Sequence, residues 1–512
     1  MPRLKFLFIL FLTLIFAVSC SDSNRIYHFN FHKKWHWTDL EKNAGDPRTR
    51  QEIRQLKELL SIDDARFLLR EISELHNPAQ IKNLYGIQHL QKKLGGDFYG
   101  VIPDQLDTAD TIPVPDNFGS LIRSALFLAQ KRAGTLAAIE KTPYPLNFKN
   151  GDFPEMEAVQ SPASMKLELD LSGMEALLKV FQKDTVQFEE AMRIAGLPVF
   201  TEMLKHRRNL GYIPEPIANE ESLARFIQYS VSRKPLAMIW KWMNPWNYFN
   251  LADISLNLEK YEKTINSLQK HKQQIENEVM GRIALFAPDS IQFQEQFGIG
   301  VNWGIRGWAA EKTSGMNIVY FKDDYSRMLQ TITHEIYHRL QLREYPVDDS
   351  LKEKSPRTFE DLYAYRFPGK KDRRFYQTLT LIYLEGSASY VGGIDSSRNV
   401  VQHAAEGMNL LNEIYRQIYV KNDFDAAERL ENQGLRSNGP FYDLGYFMTE
   451  KIVAAGGTKK MGNLLRRGSM EFFMEYNKFL NAASNDTIPE ILYPKGSLVK
   501  KLEDLYGLFR RN

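Results

Sequence analysis

Residues 327–340 read RMLQTITHEIYHRL, and this stretch decides the fold prediction because its apolar residues recur at helical spacing. At about 100° per residue, His334 and His338 lie roughly opposite those apolar residues. The sequence therefore predicts an amphipathic helix that packs one face into a core and turns both histidines toward a cleft. The apolar stripe consists of Met328, Ile332, Ile336 and Leu340. The candidate caps of the helix are Asp323, Asp324 and Ser326.

The two histidines are spaced to hold one metal ion. Because residues four apart stand one turn above each other, the imidazoles of His334 and His338 can both reach a zinc ion at about 2.0–2.1 Å. Glu335 lies beside them and can accept a proton from a water whose pKa zinc lowers toward about 7. A water activated in this way could attack a peptide carbonyl. The alternative is a pair of surface histidines on an ordinary helix.

A catalytic zinc needs a third protein ligand, and the next apolar helix offers one. This helix is predicted to begin near Phe375 and to run to Tyr390, and Glu385 interrupts its apolar sequence. Burying an unpaired carboxylate is costly, whereas a metal ion compensates its charge. Glu385 is therefore the candidate third ligand. The alternative is an exposed or salt-bridged glutamate.

At these residues the chain resembles the gluzincin metallopeptidases, in which a His-Glu-x-x-His helix supplies two zinc ligands and a later helix supplies a glutamate. The resemblance implies a zincin-like fold in which His334, His338 and Glu385 bind zinc. It also implies that Glu335 is the general base. Many gluzincins carry an aspartate four residues after the glutamate ligand, where it supports a histidine. The corresponding position is Ser389, so that support has to come from another residue.

The chain also resembles a less characterised group of zinc-dependent peptidases that share two further segments. Here these segments are Glu385–Ala388 (EGSA) and Tyr442–Tyr446 (YDLGY). By this resemblance, Tyr442 or Tyr446 donates a hydrogen bond to the developing oxyanion, and Tyr442 is preferred. The alternative is that both tyrosines are packed aromatics. The likeness extends over about residues 165–480.

Composition and patterning predict a mainly α protein with a small β-sheet, an α+β fold. A chain of 512 residues can form two or three domains. We expect a helical N-terminal domain with a linker over residues 21–160, and the stretch with several prolines that marks the linker runs over about 142–164. The zincin-like peptidase domain is expected over residues 161–512.

Four local patterns add detail to this prediction. Short apolar runs at 297–301 and 317–321 predict strands. Apolar residues at spacings of three and four predict one long helix over about 251–285, with a coiled coil as the alternative. His28, His32 and His36 are spaced by four and could bind a metal. The aromatic residues that alternate with them favour a short extended segment instead. A cluster of tryptophans is assigned to the core rather than to a membrane contact: Trp240, Trp242 and Trp246.

The first 20 residues predict an export signal. The apolar run Phe6–Val18 is too short for a membrane span, which needs roughly 20 residues. The segment Ala17–Cys20 resembles a bacterial lipobox, although Ala17 replaces the usual leucine, and Cys20 is the single cysteine of the chain. The resemblance implies a lipid anchor on Cys20 and a place in the bacterial cell envelope, with the outer membrane favoured. The alternative is ordinary signal cleavage that releases the protein.

Charge and composition narrow the function classes. The formal net charge is +3, with 25% charged and 43% hydrophobic residues, so nothing suggests a nucleic-acid partner or a multi-span membrane protein. The leading interpretation is a zinc-dependent peptidase acting on a peptide or protein substrate. One alternative is a catalytically silent surface lipoprotein that binds peptide or glycan. Another is a zinc hydrolase acting on a different bond.

Overall fold

The computed structural model describes most of the chain from residue 36 onward. The described ranges are 36–60, 117–141, 161–209, 219–232, 257–301, 306–309, 313–347, 369–393, 399–435, 439–482 and 492–511, with single positions between them. Several predictions fall outside these residues: the signal peptide with Cys20, His28, His32, the tryptophan cluster and most of the linker. Within the described part of the chain, no helix combines the length and apolar character needed to cross a membrane.

The described residues are mainly helical. The helices are α1 (Trp37–Asn43), α2 (Pro47–Leu59), α3 (Phe118–Lys141), α4 (Ser172–Phe181), α5 (Phe188–Ala195), α6 (Pro198–Asn209), α7 (Glu220–Ser232), α8 (Leu258–Lys270), α9 (Lys272–Ala284), α10 (Tyr325–Glu344), α11 (Lys370–Gly392), α12 (Val400–Tyr415), α13 (Phe424–Leu435), α14 (Pro440–Gly456), α15 (Thr458–Leu465), α16 (Gly468–Ala482) and α17 (Gly496–Arg511). The strands are β1 (Met165–Asp170), β2 (Phe293–Gly300), β3 (Gly307–Ala309) and β4 (Ser314–Asn317). The predicted class, mainly α with a small sheet, is confirmed.

The chain divides into two compact units. The first comprises Met1–Asn147, Lys183–Met192 and Glu221–Leu256. The second comprises Phe148–Gln182, Arg193–Glu220 and Asn257–Asn512. The division into a helical N-terminal domain and a peptidase domain at residue 160 stays a prediction.

In the first unit, α2 packs against α3. Asp46 begins α2, because its carboxylate accepts hydrogen bonds from the backbone N–H and the hydroxyl of Thr49 at 2.9 and 2.7 Å. Glu52 of α2 forms ion pairs with Arg48 at 3.0 Å and with Arg123 of α3 at 3.8 Å.

The second unit contains the sheet, whose strand order is β1-β2-β4-β3. The β1–β2 and β2–β4 pairs are parallel, and β3 is antiparallel to β4. Because β3 stands last in the strand order, it is an edge strand of this sheet. The strand predicted at 297–301 corresponds to β2. The strand predicted at 317–321 is wrong, because β4 ends at Asn317. The Asn317 side chain accepts a hydrogen bond from the backbone N–H of Val319 and begins a 3₁₀ turn, which takes the chain out of the sheet.

The long helix predicted over about 251–285 is also wrong, because α8 and α9 are separated at His271. The backbone there has φ −101° and ψ 9°. The His271 ring lies with Nδ1 2.8 Å from the carbonyl oxygen of Ser267 and stacks on Phe153. A break of one residue leaves the apolar spacing on both sides almost unchanged, so the sequence pattern does not reveal it.

Helix α10 is the element that positions the candidate site. It packs against α9, α11 and strands β2, β3 and β4 of the second unit. Asp324, one of the predicted caps, accepts a hydrogen bond from the backbone N–H of Arg327 at 3.3 Å and begins the helix. The predicted apolar stripe is buried, and each such side chain contributes about 1.5–3 kcal/mol relative to exposure. Its members are Met328, Ile332, Ile336 and Leu340.

Candidate metal centre

Two histidines one helical turn apart form the first part of the site. Because the stripe fixes the rotation of α10, His334 and His338 share the opposite side of the helix, as the sequence predicts. Their Nε2 atoms lie 3.0 Å apart. The His338 side chain is 4% exposed and that of His334 19%, so the pair is largely buried rather than on a free surface.

Helix α11 brings the predicted third ligand to this pair. The Glu385 Oε2 atom lies 3.5 Å from His334 Nε2 and 3.3 Å from His338 Nε2. All three candidate ligand atoms are within 4.8 Å of one another. Four ligands arranged tetrahedrally around zinc at about 2.0–2.1 Å are separated by about 3.3–3.4 Å. The three observed separations, 3.0, 3.3 and 3.5 Å, lie within about 0.4 Å of those edges, so the three residues fit a zinc ion.

The electrostatics of the cluster follow from three ionisable groups in a small buried volume. Burial alone would lower the pKa of His338, but the charge and hydrogen bond of Glu385 raise it to about 9. Burial would likewise raise the pKa of Glu385, yet the two histidines hold it far below its ordinary value. The carboxylate therefore stays ionised, as a metal ligand must be.

Glu335 stands beside the ligands and faces strand β3. Burial raises the pKa of Glu335 above its ordinary value, the two histidines partly oppose this, and Glu385 adds to it. An ideal Cβ atom built on Gly307 of β3 would lie 2.6 Å from Glu335 Oε1 and 2.8 Å from Thr331 Cγ2. The carboxylate of Glu335 is thus packed against a strand backbone that has room for it because Gly307 carries no side chain.

Sequence reasoning missed Gln341, which contacts His338 from the same helix. Gln341 Oε1 lies 2.6 Å from His338 Nδ1. Its Nε2 donates to the carbonyl oxygen of Leu384 at 3.0 Å and to the hydroxyl of Ser387 at 2.9 Å, both on α11. Gln341 is fully buried, but the sequence does not distinguish it from a surface glutamine, because its burial depends on the packing of α11.

The segments Glu385–Ala388 and Tyr442–Tyr446 meet at a pair of glycines. A Cβ atom on Gly386 of α11 would collide with the backbone of Gly445 of α14, and the reverse substitution would collide with the backbone of Ile382 and Gly386. Helices α11 and α14 therefore pack so closely that neither position has room for a side chain.

The two candidate tyrosines, both on α14, have different neighbours. The Tyr442 ring lies 6.4 Å from the His334 ring, centroid to centroid, at an interplanar angle of 23°. The Tyr446 ring instead packs edge-on against Tyr390 at 5.1 Å. Of the two, Tyr442 is the tyrosine placed beside a candidate ligand.

Comparison with known proteins gave one informative match. The family model described as "Putative zinc dependent peptidase (DUF5700)" matches residues 199–485. The chain belongs to this family. Searches of curated proteins and of solved structures gave no match. Membership in this zinc-dependent peptidase family confirms the general relationship predicted from the sequence, and the matched residues contain every member of the candidate centre. The narrower gluzincin class stays a prediction.

Proposed function

We propose that this protein hydrolyses peptide bonds at a zinc ion held by His334, His338 and Glu385, in the manner of a gluzincin. The observation that carries the proposal is the convergence of two imidazoles from α10 and one carboxylate from α11 at tetrahedral spacing. The family description, a zinc-dependent peptidase, supports the same reaction class. The substrate is a peptide or a protein.

A zinc ion bound here would supply Lewis acidity, which lowers the pKa of water and polarises a substrate carbonyl. As the oxygen of the attacking water bonds to the carbonyl carbon, Glu335 accepts a proton from that water. Glu335 then returns a proton to the amide nitrogen as the C–N bond breaks, so the base is regenerated. Burial raises the pKa of Glu335 above its ordinary value, which makes this carboxylate a stronger proton acceptor.

Negative charge develops on the carbonyl oxygen during attack, and a hydroxyl donor stabilises it. We assign this donor to Tyr442, because its ring lies beside that of His334. Tyr446 is the second candidate, and its packing against Tyr390 disfavours it. The expected location of the enzyme is the bacterial cell envelope, where a lipid on Cys20 would tether it.

The decisive experiment compares Glu335→Gln with the wild type. Purified wild type should hold about one zinc per chain and cleave members of a broad peptide library, as detected by mass spectrometry. The variant should keep its zinc and lose cleavage by at least about 10²-fold, because the general base is gone.

Glu344→Gln is the matched control, because Glu344 lies on the same helix and pairs with Arg466 at 2.8 Å without touching the centre. This control should cleave like the wild type. Equal activity in Glu335→Gln would remove Glu335 as the base. A zinc-loaded wild type that cleaves nothing but binds peptide or glycan would replace the proposal with a binding function.

A further inference from the structure

Gln341 lies between the two helices that carry the candidate ligands. It is fully buried and makes three short contacts: 2.6 Å to His338 Nδ1, 3.0 Å to Leu384 O and 2.9 Å to Ser387 Oγ. No candidate role of the proposed reaction involves this side chain. Gln341 nevertheless places a buried amide at a position where an apolar side chain would avoid the cost of desolvation.

The contacts with α11 determine which way the amide points. The carbonyl oxygen of Leu384 can only accept, so the group facing it has to be the NH₂ of Gln341. The Ser387 hydroxyl donates its own proton to the carbonyl oxygen of Tyr383 at 2.6 Å, so it accepts from Gln341. A reversed amide would set two carbonyl oxygens against each other. Oε1 of Gln341 therefore faces His338.

This orientation in turn selects the tautomer of His338. Because Oε1 of Gln341 can only accept, the proton of a neutral His338 has to reside on Nδ1. The lone pair is then on Nε2, which is the atom 3.3 Å from Glu385 Oε2 and 3.0 Å from His334 Nε2. The imidazole is held with its ligating nitrogen toward the centre.

We propose that Gln341 is the positioning residue of the metal centre, fixing the tautomer and ring orientation of His338 while anchored to the helix that carries Glu385. It takes the place of the carboxylate support that Ser389 cannot supply. The inference rests on the metal centre of the proposed function and is independent of peptide cleavage. Outer contacts of this kind are worth about 10–100-fold in metal affinity.

The test measures zinc dissociation constants by competition with a chelator. Gln341→Met keeps the length of the side chain and removes the acceptor, and it should weaken zinc binding by about 10–100-fold. Gln341→Glu keeps an acceptor for Nδ1–H and loses both donations to α11. If the acceptor matters, Gln341→Glu should bind zinc about tenfold more tightly than Gln341→Met.

Tyr345→Phe is the matched control for a loss of buried polar contacts. Tyr345 lies just past the end of α10, and its hydroxyl contacts those of Tyr376 and Ser469 away from the centre. This variant should unfold at a lower temperature and keep the zinc affinity of the wild type. Zinc affinity in Tyr345→Phe as weak as in Gln341→Met would overturn the assignment.

A spectroscopic measurement keeps the proposal testable even where a variant does not fold. Long-range ¹H–¹⁵N correlation spectra of the zinc-loaded wild type should show His338 protonated at Nδ1 and metal-bound at Nε2. The opposite pattern would overturn the proposal. So would equal zinc affinity in Gln341→Met and the wild type, or equal losses in the Met and Glu variants. A zinc-loaded wild type without peptidase activity would instead contradict the proposed function and leave this inference standing.

Discussion

Gly307 on the edge strand β3 and Glu335 on α10 are in direct contact, with room for the carboxylate of Glu335 only because residue 307 has no Cβ atom. A Cβ atom at that position would lie 2.6 Å from Oε1 and 2.9 Å from Cγ of Glu335. The position of the proposed general base is thus set by a strand residue that neither binds metal nor carries a functional group.

Gly307→Ala should therefore reduce catalysis without removing the metal. The added methyl group displaces the Glu335 side chain, and a misplacement of about 1 Å can cost about 10²-fold in rate. The measurements are kcat with a cleaved peptide and zinc content. Gly496→Ala is the control, because a Cβ atom there meets nothing within 4 Å. Wild-type kcat in Gly307→Ala would show that this contact does not position the base.

Replacing the tyrosine hydroxyls separates their roles. Tyr442→Phe should lower kcat by about 10²–10³-fold with little change in KM, since it removes a donor used mainly in the transition state. Tyr446→Phe should lose less, because Tyr446 packs against Tyr390 rather than against a ligand. Steady-state kinetics of both variants decide the question. A larger loss in Tyr446→Phe would reverse the assignment.

Zinc binding should release protons. Because the pKa of His338 is raised to about 9, this residue carries a second ring proton at pH 7.5 in zinc-free protein and has to lose it on binding. We expect release of at least about one proton at pH 7.5 and an affinity that strengthens as the pH rises toward 9. Calorimetry in buffers of different ionisation enthalpy measures this. Identical heats in all buffers would contradict it.

The lipid anchor predicted on Cys20 can be tested in cells. The wild type should incorporate labelled fatty acid and sediment with membranes, because each buried acyl methylene contributes about 0.8 kcal/mol to membrane binding. Cys20→Ser should lose the label and the membrane association. A wild type that is exported without label would instead favour release by ordinary signal cleavage.

The sequence predicted the parts of the site that depend on local spacing. The apolar stripe determines the rotation of α10 about its axis, and this rotation determines the direction in which His334 and His338 point. Glu385 was recognisable because a carboxylate in an apolar helix needs compensation. The structure brings these three side chains together as the pattern predicts.

The parts that sequence reasoning missed depend on contacts between distant segments. The sequence around Gln341 does not distinguish it from a surface glutamine. It is buried because α11 packs over it. Gly307 matters because it contacts Glu335, 28 positions later in the chain. A single glycine in a short strand gives no sequence indication of which residue packs against it. The break at His271 occupies one residue, which is too little to disturb an apolar repeat.

Strand β1 and helix α17 both lie beyond the residues that match the family model. β1 covers one edge of β2 through the pairing from Met165↔Phe293 to Asp170↔Gly298, and α17 is held to the second unit by Lys501–Asp372 at 2.7 Å and Tyr506–Glu471 at 2.8 Å. A recombinant fragment trimmed to residues 199–485 would leave the backbone donors and acceptors of β2 open to other chains, which invites aggregation. A fragment that contains the family-matched residues should therefore start ahead of β1 and include α17.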